Sequence, residues 1–343
     1  MANQIVADAR DVSVDISFLM AAHNAAPWIE TAIRSALDQA GVAVEILVVD
    51  DGSVDGTASV VARLAAEDPR IRRIPLDGAQ TGAPRGPSAA RNAALKAARG
   101  RWLAILDADD LIVPDRSRTL LDLAAATNAD LIADNPIPFS GGFDPHGAGM
   151  LERGREPYLF TVDLAQYLTC NRMLTPGVKL GYLKPMLRAD FVRRHGLRYD
   201  AEVRIGEDFL FCAAALAAGA RFVVSSYAGY GYRRGPASLS HRLHLADIQR
   251  LDAAFAAWAE QRERSPEIGQ AAHAYRDSLA TAQVIARVID AAQGGHWLRG
   301  AALALARPRA WRLLTGSLMA AAGNRFKKRL RPALPDALPA GQG

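Results

Sequence analysis

Strand-length apolar runs alternate with amphipathic, helix-length segments over the first 135 residues of this 343-residue chain. Residues 15–22 and 44–53 show the runs, whereas 26–40 repeats its apolar positions with helical spacing. A strand–helix–strand–helix order predicts a mostly parallel sheet with right-handed crossovers and helices on its faces. We therefore expect an α/β fold whose ligands bind at the carboxyl ends of the strands.

The same patterns divide the chain into two regions. Residues 1–242 contain every strand pattern, and residues 243–343 show helical patterns only, so we predict a C-terminal helical region. Within the first region, Ser88 is the expected N-cap of a helix that stops at Gly100. Residues 136–162 are rich in Gly and Pro, which predicts an irregular loop.

Positive charge is concentrated near the C-terminus. The formal net charge is +5, and nine basic residues but no acidic one lie between Asp290 and Asp336. Within 307–332 these cations alternate with apolar side chains such as Trp311 and Phe326, a composition that suits a helix lying on an anionic membrane. An ordinary packing helix is the alternative. We expect an anionic membrane surface, and no nucleic acid, as the partner of this segment.

The rest of the composition indicates a cytoplasmic protein. The two cysteines, Cys170 and Cys212, lack metal-ligand spacing and suit a reducing compartment. The N-terminal residues do not have the basic-then-apolar layout of a signal peptide, and no apolar run reaches about 18 residues. We therefore predict a cytoplasmic location, peripheral on the inner face of the cell membrane.

Three aspartates, Asp107, Asp109 and Asp110, follow the apolar run WLAIL. Two carboxylates about 4 Å apart repel by about 4 kcal/mol at an effective dielectric constant near 20. The nearest cations in the sequence are Arg101 and Arg116, so the cluster lacks a local counter-ion. Carboxylates together with substrate phosphates hold hard cations such as Mg²⁺ or Mn²⁺. The alternative is a cap for the helix that begins near residue 114.

A second acidic pair, Asp50 and Asp51, ends the strand pattern at 44–53 and leads into a Gly-Ser turn. A carboxylate in this position can accept the imide N–H of a uracil base. It can also form an Asx turn that stabilises its own backbone. We expect one of the two aspartates to form the Asx turn and the other to bind the ligand.

Two further features carry charge at helix starts. Arg91 lies in the first turn of a helix after a Gly-rich loop, where helix N-termini attract anions and a guanidinium can bind phosphate. A surface arginine on an amphipathic helix is the alternative. Glu207 and Asp208 open the helix GEDFLF, where the helix dipole favours acids whatever the function.

These features, in this order, resemble the family 2 glycosyltransferases, which have the GT-A fold. The resemblance covers about residues 14–235 and is strongest to bacterial enzymes that build exopolysaccharides such as succinoglycan from lipid-linked intermediates. The matching segments are ISFLMAAHNAAPWIETAIRSAL, VEILVVDDGSVDGT, GPSAARNAALKAARGRWLAILDADD and GEDFLF.

The resemblance implies a fold and a reaction. The fold would be GT-A, a Rossmann-like, mostly parallel sheet flanked by helices, here followed by the helical extension. The reaction would be the inverting transfer of a sugar, with glucose as the first expectation, from a UDP-sugar to a lipid-linked saccharide. Mn²⁺ or Mg²⁺ would be the cofactor of this hexosyltransferase.

The resemblance also implies residue roles. Asp208 would be the general base, and Asp107 and Asp109 would form the Asp-x-Asp element, with Asp109 nearest the metal. Asp51 would contact the nucleobase, and Arg91 would contact the nucleotide.

The first strand departs from the family pattern. It usually ends in Pro-x-Tyr-Asn, whereas this chain has Ala-Ala-His-Asn, so His23 and Asn24 stand near the nucleobase. A neutral imidazole can still stack on a base. Later in the chain, residues 230–242 supply Arg233, Arg234 and His241, which could close over a diphosphate or remain in a solvated basic loop.

Two other functions stay open on the sequence. The stretch DADDL is similar to the start of a haloacid-dehalogenase-type phosphohydrolase, although that family usually has Thr or Val where this chain has Leu111. A non-catalytic sugar-nucleotide-binding protein with a membrane-docking segment is the second. A dinucleotide-binding Rossmann domain is disfavoured, because no Gly-x-Gly-x-x-Gly follows the first strand.

Overall fold

The computed structural model describes residues 14–78, 82–151, 157–235, 244–260 and 265–294. The strands are β1 Ile16–Ala22, β2 Val44–Asp50, β3 Ile71–Arg73, β4 Trp102–Ile105, β5 Leu111–Ile112, β6 Leu131–Ala133, β7 Ile137–Phe139, β8 Leu159–Val162, β9 Met186–Arg188, β10 Phe222–Ser225 and β11 Tyr230–Arg233. The helices are α1 Ile29–Leu37, α2 Thr57–Glu67, α3 Pro87–Ala97, α4 Arg116–Thr127, α5 Leu164–Cys170, α6 Ala189–Arg194, α7 Glu207–Ala217, α8 Leu245–Glu260 and α9 Pro266–Gln293, with a 3₁₀ turn at Leu180–Tyr182.

The main sheet has the strand order β3-β2-β1-β4-β9-β6-β10-β8. Strands β3, β2, β1 and β4 run parallel to one another, as do β6 and β10. Strand β9 is antiparallel to both of its neighbours, β4 and β6, and β8 is an antiparallel edge strand. The predicted α/β fold with a mostly parallel sheet is confirmed.

The central strands are apolar along their whole length because helices cover both faces of the sheet. All seven residues of β2 except Asp50 are buried, and β1 is buried at every position but Ala21. Helix α1 packs on this core through an apolar face that repeats every three to four residues. That face is formed by Ile29, Ala32, Ile33 and Ala36.

The register of the parallel strands brings the acidic strand ends together. Ala22 at the end of β1 lies beside Asp50 of β2, and Leu19 lies beside Ile105 at the end of β4. Asp51 and Asp107 therefore emerge at the same edge of the sheet. A small sheet in the order β5-β11-β7 adds Tyr230 of β11 to this edge.

Both ends of helix α3 differ from the prediction. Helix α3 begins at Pro87 after Gly86, and the Ser88 hydroxyl donates to the carbonyl of Val203 (2.7 Å) instead of capping the helix. The helix also ends at Ala97, before Gly100. A Cβ at Gly100 would lie 2.5 Å from the Ser17 nitrogen, so the glycine permits close approach to β1. The stretch 136–162, predicted as an irregular loop, carries the short strands β7 and β8 at its two ends, and the described residues between them are irregular as predicted.

Past residue 242, α8 and α9 agree with the predicted helical pattern. The predicted division into a catalytic region, 1–242, and a helical region, 243–343, stays a prediction. By packing, the chain forms two compact units, Met1–Asp277 and Ser278–Gly343. Among the helices that the structure describes, none combines the length and apolar character needed to span a bilayer. His241 and the basic segment 307–332 lie outside the described residues.

Candidate active site

The Asp107 carboxylate is held by two cations from distant parts of the chain. Its Oδ1 accepts a hydrogen bond from Arg91 Nη2 (2.7 Å), and its Oδ2 lies 2.7 Å from the Lys184 ammonium. Burial opposes ionisation, but Lys184 and Arg91 hold the pKa of Asp107 well below its ordinary value. Part of the positive charge that is missing around this cluster in the sequence is therefore supplied by the fold.

Arg91 is a buried counter-ion and not a surface arginine. Only 4% of its side chain is exposed, and its Nη1 lies 2.6 Å from Glu207 Oε1 and 3.3 Å from Asp208 Oδ1. Burial disfavours its charge, but Asp208, Asp107 and Glu207 keep the pKa of Arg91 well above its ordinary value. The guanidinium thus joins α3 to the start of α7 and faces carboxylates.

Lys184 is a site residue that the sequence reasoning missed. Its Nζ lies 2.7 Å from Asp107 Oδ2 and 2.8 Å from Asp208 Oδ2, and its side chain is 8% exposed. Burial would lower its pKa, yet Asp107 and Asp208 raise it above the ordinary value. The signal was available: Lys184 stands in the apolar stretch LKPML, and a lysine is almost never buried without a charged partner.

The two acids at the start of α7 have different surroundings. Glu207 Oε1 accepts a hydrogen bond from Arg91, and burial together with repulsion from Asp208 raises the pKa of Glu207. Asp208 binds Lys184 through Oδ2, while its buried Oδ1 accepts no hydrogen bond from the described groups. That oxygen lies 3.3 Å from Arg91 Nη1 without a hydrogen bond to it, so its lone pairs remain available to a donor.

The carboxylates of Asp109 and Asp110 differ in exposure: Asp109 is half-buried and Asp110 is buried. Asp110 is 1% exposed and accepts hydrogen bonds from the Tyr230 hydroxyl and the Arg233 amide, both 2.7 Å. The half-buried Asp109 carboxylate has no ion-pair partner within the part of the chain that the structure describes. Burial, and then repulsion from Asp107, raise the pKa of Asp109. A further cation beside Asp109 would favour its ionised form.

The donor set at this edge suits a divalent ion that is shared with a substrate. The described residues contain no cluster of three or more metal-ligating side chains that would form a complete site. Asp109 nevertheless offers carboxylate oxygens that have no ion-pair partner among the described residues, and the Asp107 carboxylate lies close enough to raise its pKa. Mg²⁺ and Mn²⁺ sites commonly use one or two carboxylates plus phosphate oxygens, which fits this arrangement.

Asp51 lies at the other side of the edge and anchors the loop before α3. It is 3% exposed, and its two oxygens accept hydrogen bonds from the amides of Arg85 and Gly86, each 2.7 Å. Asp50 accepts from the Ser53 hydroxyl (2.5 Å). Asp51 therefore holds the backbone of a distant segment, whereas Asp50 binds a neighbouring side chain. A carboxylate has about four acceptor sites, so Asp51 keeps capacity for a ligand.

His23 and Asn24 are exposed beside Asp51. His23 Nδ1 lies 2.8 Å from the Asp51 carbonyl oxygen, and its Nε2 lies 3.1 Å from Asn24 Nδ2. A carbonyl can only accept, so these contacts assign the proton to Nδ1 and make Nε2 an acceptor. The exposed imidazole ring can stack on a planar ligand.

A cavity of about 400 Å³ opens next to the segment that carries Lys184. Tyr182 in its wall stands two residues before Lys184, and a Cβ at the preceding Gly181 would lie 3.2 Å from the Cβ of Phe209 in α7. The polar lining also includes Lys179 and Arg234. A cavity of this volume can accommodate a saccharide unit.

Comparison with protein families matches residues 17–190 to the model described as glycosyl transferase family 2. The chain is 41% identical over 240 residues to succinoglycan biosynthesis protein ExoO of Rhizobium meliloti (strain 1021), which covers 70% of this chain and 66% of that protein. It is 32% identical over 322 residues to ExoU of the same strain, another succinoglycan biosynthesis protein, which covers 93% of this chain and 91% of the relative.

Two solved structures share the fold. S. aureus TarS 1–349 in complex with UDP-GlcNAc aligns with a TM-score of 0.57 at 17% identity, over 84% of this chain and 79% of that one. The mannosyltransferase PcManGT from Pyrobaculum calidifontis, in complex with GDP-Man and Mn²⁺, aligns with a TM-score of 0.52 at 20% identity, over 92% and 90%. These likenesses confirm the predicted GT-A fold.

Proposed function

Because this chain belongs to glycosyl transferase family 2, we propose that it is an inverting, metal-dependent transferase that uses a UDP-sugar. Its acceptor is a lipid-linked saccharide of exopolysaccharide biosynthesis, and glucose is the first sugar to test. One observation carries the proposal: the acids after β4 and the acids that open α7 meet around Arg91 and Lys184.

The proposed donor-binding site lies at the sheet edge formed by the ends of β1 and β2. TarS and PcManGT, which share this fold, were solved with nucleoside diphosphate sugars. In this chain the nucleobase would lie against His23 and Asn24, with Asp51 as the acceptor for a uracil imide. The diphosphate would then extend along the edge toward Asp109.

A divalent ion would be held by Asp109, next to Asp107. When bound, Mn²⁺ or Mg²⁺ would neutralise the charge that develops on the departing diphosphate, which is worth several kcal/mol. Arg91 and Lys184 keep Asp107 ionised, and Arg91 also joins the donor edge to α7.

Asp208 takes the proton of the acceptor hydroxyl through its Oδ1, which has no hydrogen-bond partner among the described groups. The acceptor oxygen attacks the anomeric carbon from the face opposite the diphosphate, so a single displacement inverts the configuration. General-base assistance of this kind contributes about 10²–10⁴-fold. The cavity lined by Tyr182 is the proposed location of the acceptor saccharide.

The acceptor class rests on the relatives, which are named for succinoglycan biosynthesis. The test is a panel of UDP-sugars with lipid-linked saccharides, with UDP release and product formation as the measurements. Sugar transfer supports the proposal. Binding of UDP-sugars without transfer or UDP release would identify a non-catalytic binder instead.

UDP should bind much more tightly with Mn²⁺ than in EDTA, because Asp107 and Asp109 otherwise face a like-charged diphosphate. We expect at least about a tenfold difference in Kd, or 1.4 kcal/mol, by calorimetric titration. Asp109→Asn should remove the difference, whereas Asp122→Asn on the exposed face of α4 should retain it. Equal affinity of the parent in both buffers would contradict the metal role.

The basic segment should dock the enzyme on an anionic membrane. Each basic residue near such a surface contributes about 1 kcal/mol, so reversing Lys327, Lys328 and Arg329 to Glu should reduce vesicle binding at least about tenfold. Co-sedimentation with anionic vesicles at low salt measures it. The matched control reverses three exposed cations of the described region, Lys96, Arg99 and Arg194. Unchanged sedimentation of the first variant would refute docking.

A further inference from the structure

Lys184 is the cation on which the two acidic groups of the site converge. Its ammonium lies 2.7 Å from Asp107 and 2.8 Å from Asp208, and these contacts join the strand end after β4 to the start of α7. A buried ammonium is strongly disfavoured unless it is paired, and charge-assisted hydrogen bonds of this length provide the pairing. The contact is therefore a specific feature of the site.

The backbone at Lys184 is also fixed from behind. Its carbonyl accepts a hydrogen bond from Arg116 Nη2 (2.8 Å), and Arg116 forms a fully buried bidentate ion pair with Asp134. A long flexible side chain usually loses entropy when it is held in one geometry. Here the hydrogen bond from Arg116 to the Lys184 carbonyl and the two short contacts of the ammonium together determine where the ammonium lies.

With Lys184 in place, each oxygen of Asp107 faces a cation, Arg91 on one and Lys184 on the other, and these two charges repel a further cation at Asp107. Asp109 is then the carboxylate of the pair left open to a divalent ion. A single carboxylate binds Mg²⁺ or Mn²⁺ weakly, and such ions rely on phosphate oxygens for further ligands. The free protein should therefore take up the ion poorly until the donor's diphosphate arrives.

We propose that Lys184 makes metal binding depend on the donor: it bridges Asp107 and Asp208 in the free enzyme and keeps Asp107 from forming a two-carboxylate metal site with Asp109. This inference rests on the proposed function. It assigns Lys184 a positioning role, and the same contact holds Asp208 in place for the acceptor.

The variant Lys184→Met tests the proposal, because methionine keeps most of the side-chain bulk and removes the charge. Mn²⁺ binding is measured by electron paramagnetic resonance on the full chain, with and without UDP. The parent should bind Mn²⁺ weakly alone and at least about tenfold more tightly with UDP. Lys184→Met should bind Mn²⁺ alone at least about tenfold more tightly than the parent, so that UDP adds less.

Lys179→Met is the matched control. Lys179 lies on the same segment, but its ammonium bonds only the hydroxyl and carbonyl of Thr175 among the described groups, so its loss should leave Mn²⁺ binding at the parent level. A gain in metal affinity is a result that general loss of structure does not produce. Thermal unfolding of each variant confirms that it is folded.

Two results would overturn the proposal. The first is a folded Lys184→Met protein whose affinity for Mn²⁺ alone equals that of the parent. The second needs no variant. If the parent binds Mn²⁺ equally tightly with and without UDP, metal binding does not depend on the donor, and Lys184 cannot be the cause of such a dependence. Failure of the proposed function has a different signature, namely a parent that binds no UDP at all.

Discussion

Asp208→Asn should lower kcat by about 10²-fold or more while the protein stays folded and donor affinity stays near the parent value. Asparagine keeps the shape of aspartate, and its carbonyl oxygen can still accept a hydrogen bond from Lys184. The amide cannot take a proton from the acceptor hydroxyl. Steady-state UDP release with saturating donor and acceptor measures kcat, and UDP titration measures donor affinity.

The competing explanation of Asp208 is a stabilising charge at the start of α7. In that case the substitution should cost about 0.3–1 kcal/mol of stability and leave kcat almost unchanged. Glu207→Gln is the control, because Glu207 shares the same helical turn but binds Arg91 through Oε1. If Glu207→Gln abolishes transfer and Asp208→Asn does not, the base is Glu207. If neither lowers kcat, the base lies outside this helix.

The strand pattern was sufficient to predict that Asp51 and Asp107 lie at the same edge of the sheet. Parallel strands place their carboxyl ends at one edge, and both Asp51 and Asp107 follow buried strands without interruption. The aligned register of β1 with β2 and β4 confirms that expectation. Apolar periodicity is a strong signal because burial on both faces leaves little choice of side chain along these strands.

The counter-ions could not be predicted in the same way. Lys184 reaches Asp107 because β9 inserts antiparallel between β4 and β6, and strand order between distant segments leaves no periodic trace in a single sequence. The local role of Ser88 failed for a related reason. Its hydroxyl found the Val203 carbonyl from a remote segment, and this tertiary contact replaced the expected helix cap.

Arg91→Met should destabilise the protein by about 3–5 kcal/mol, because removing one partner of a buried ion pair leaves uncompensated charge. Arg91 contacts three acids, Asp107, Glu207 and Asp208, whose side chains are 26%, 13% and 9% exposed. Lys184 remains, but it contacts only Asp107 and Asp208, so Glu207 loses its ion-pair partner. Urea unfolding, monitored by circular dichroism, measures the change in free energy.

Arg72→Met is the control. It separates the loss of the counter-ion shared by the site acids from the loss of an ordinary, partly buried arginine. Arg72 pairs with Glu45 near the opposite end of β2, is 26% exposed, and leaves Glu45 with hydrogen bonds from Ser17 and the Arg99 amide. We expect a smaller loss, about 1.5–3 kcal/mol. Mn²⁺ should restore part of the stability of Arg91→Met, since a divalent ion can replace the lost charge among the site acids, and none of the stability of Arg72→Met. If both variants lose the same stability and neither responds to Mn²⁺, Arg91 is an ordinary structural arginine and the acids of the site do not share it as their counter-ion.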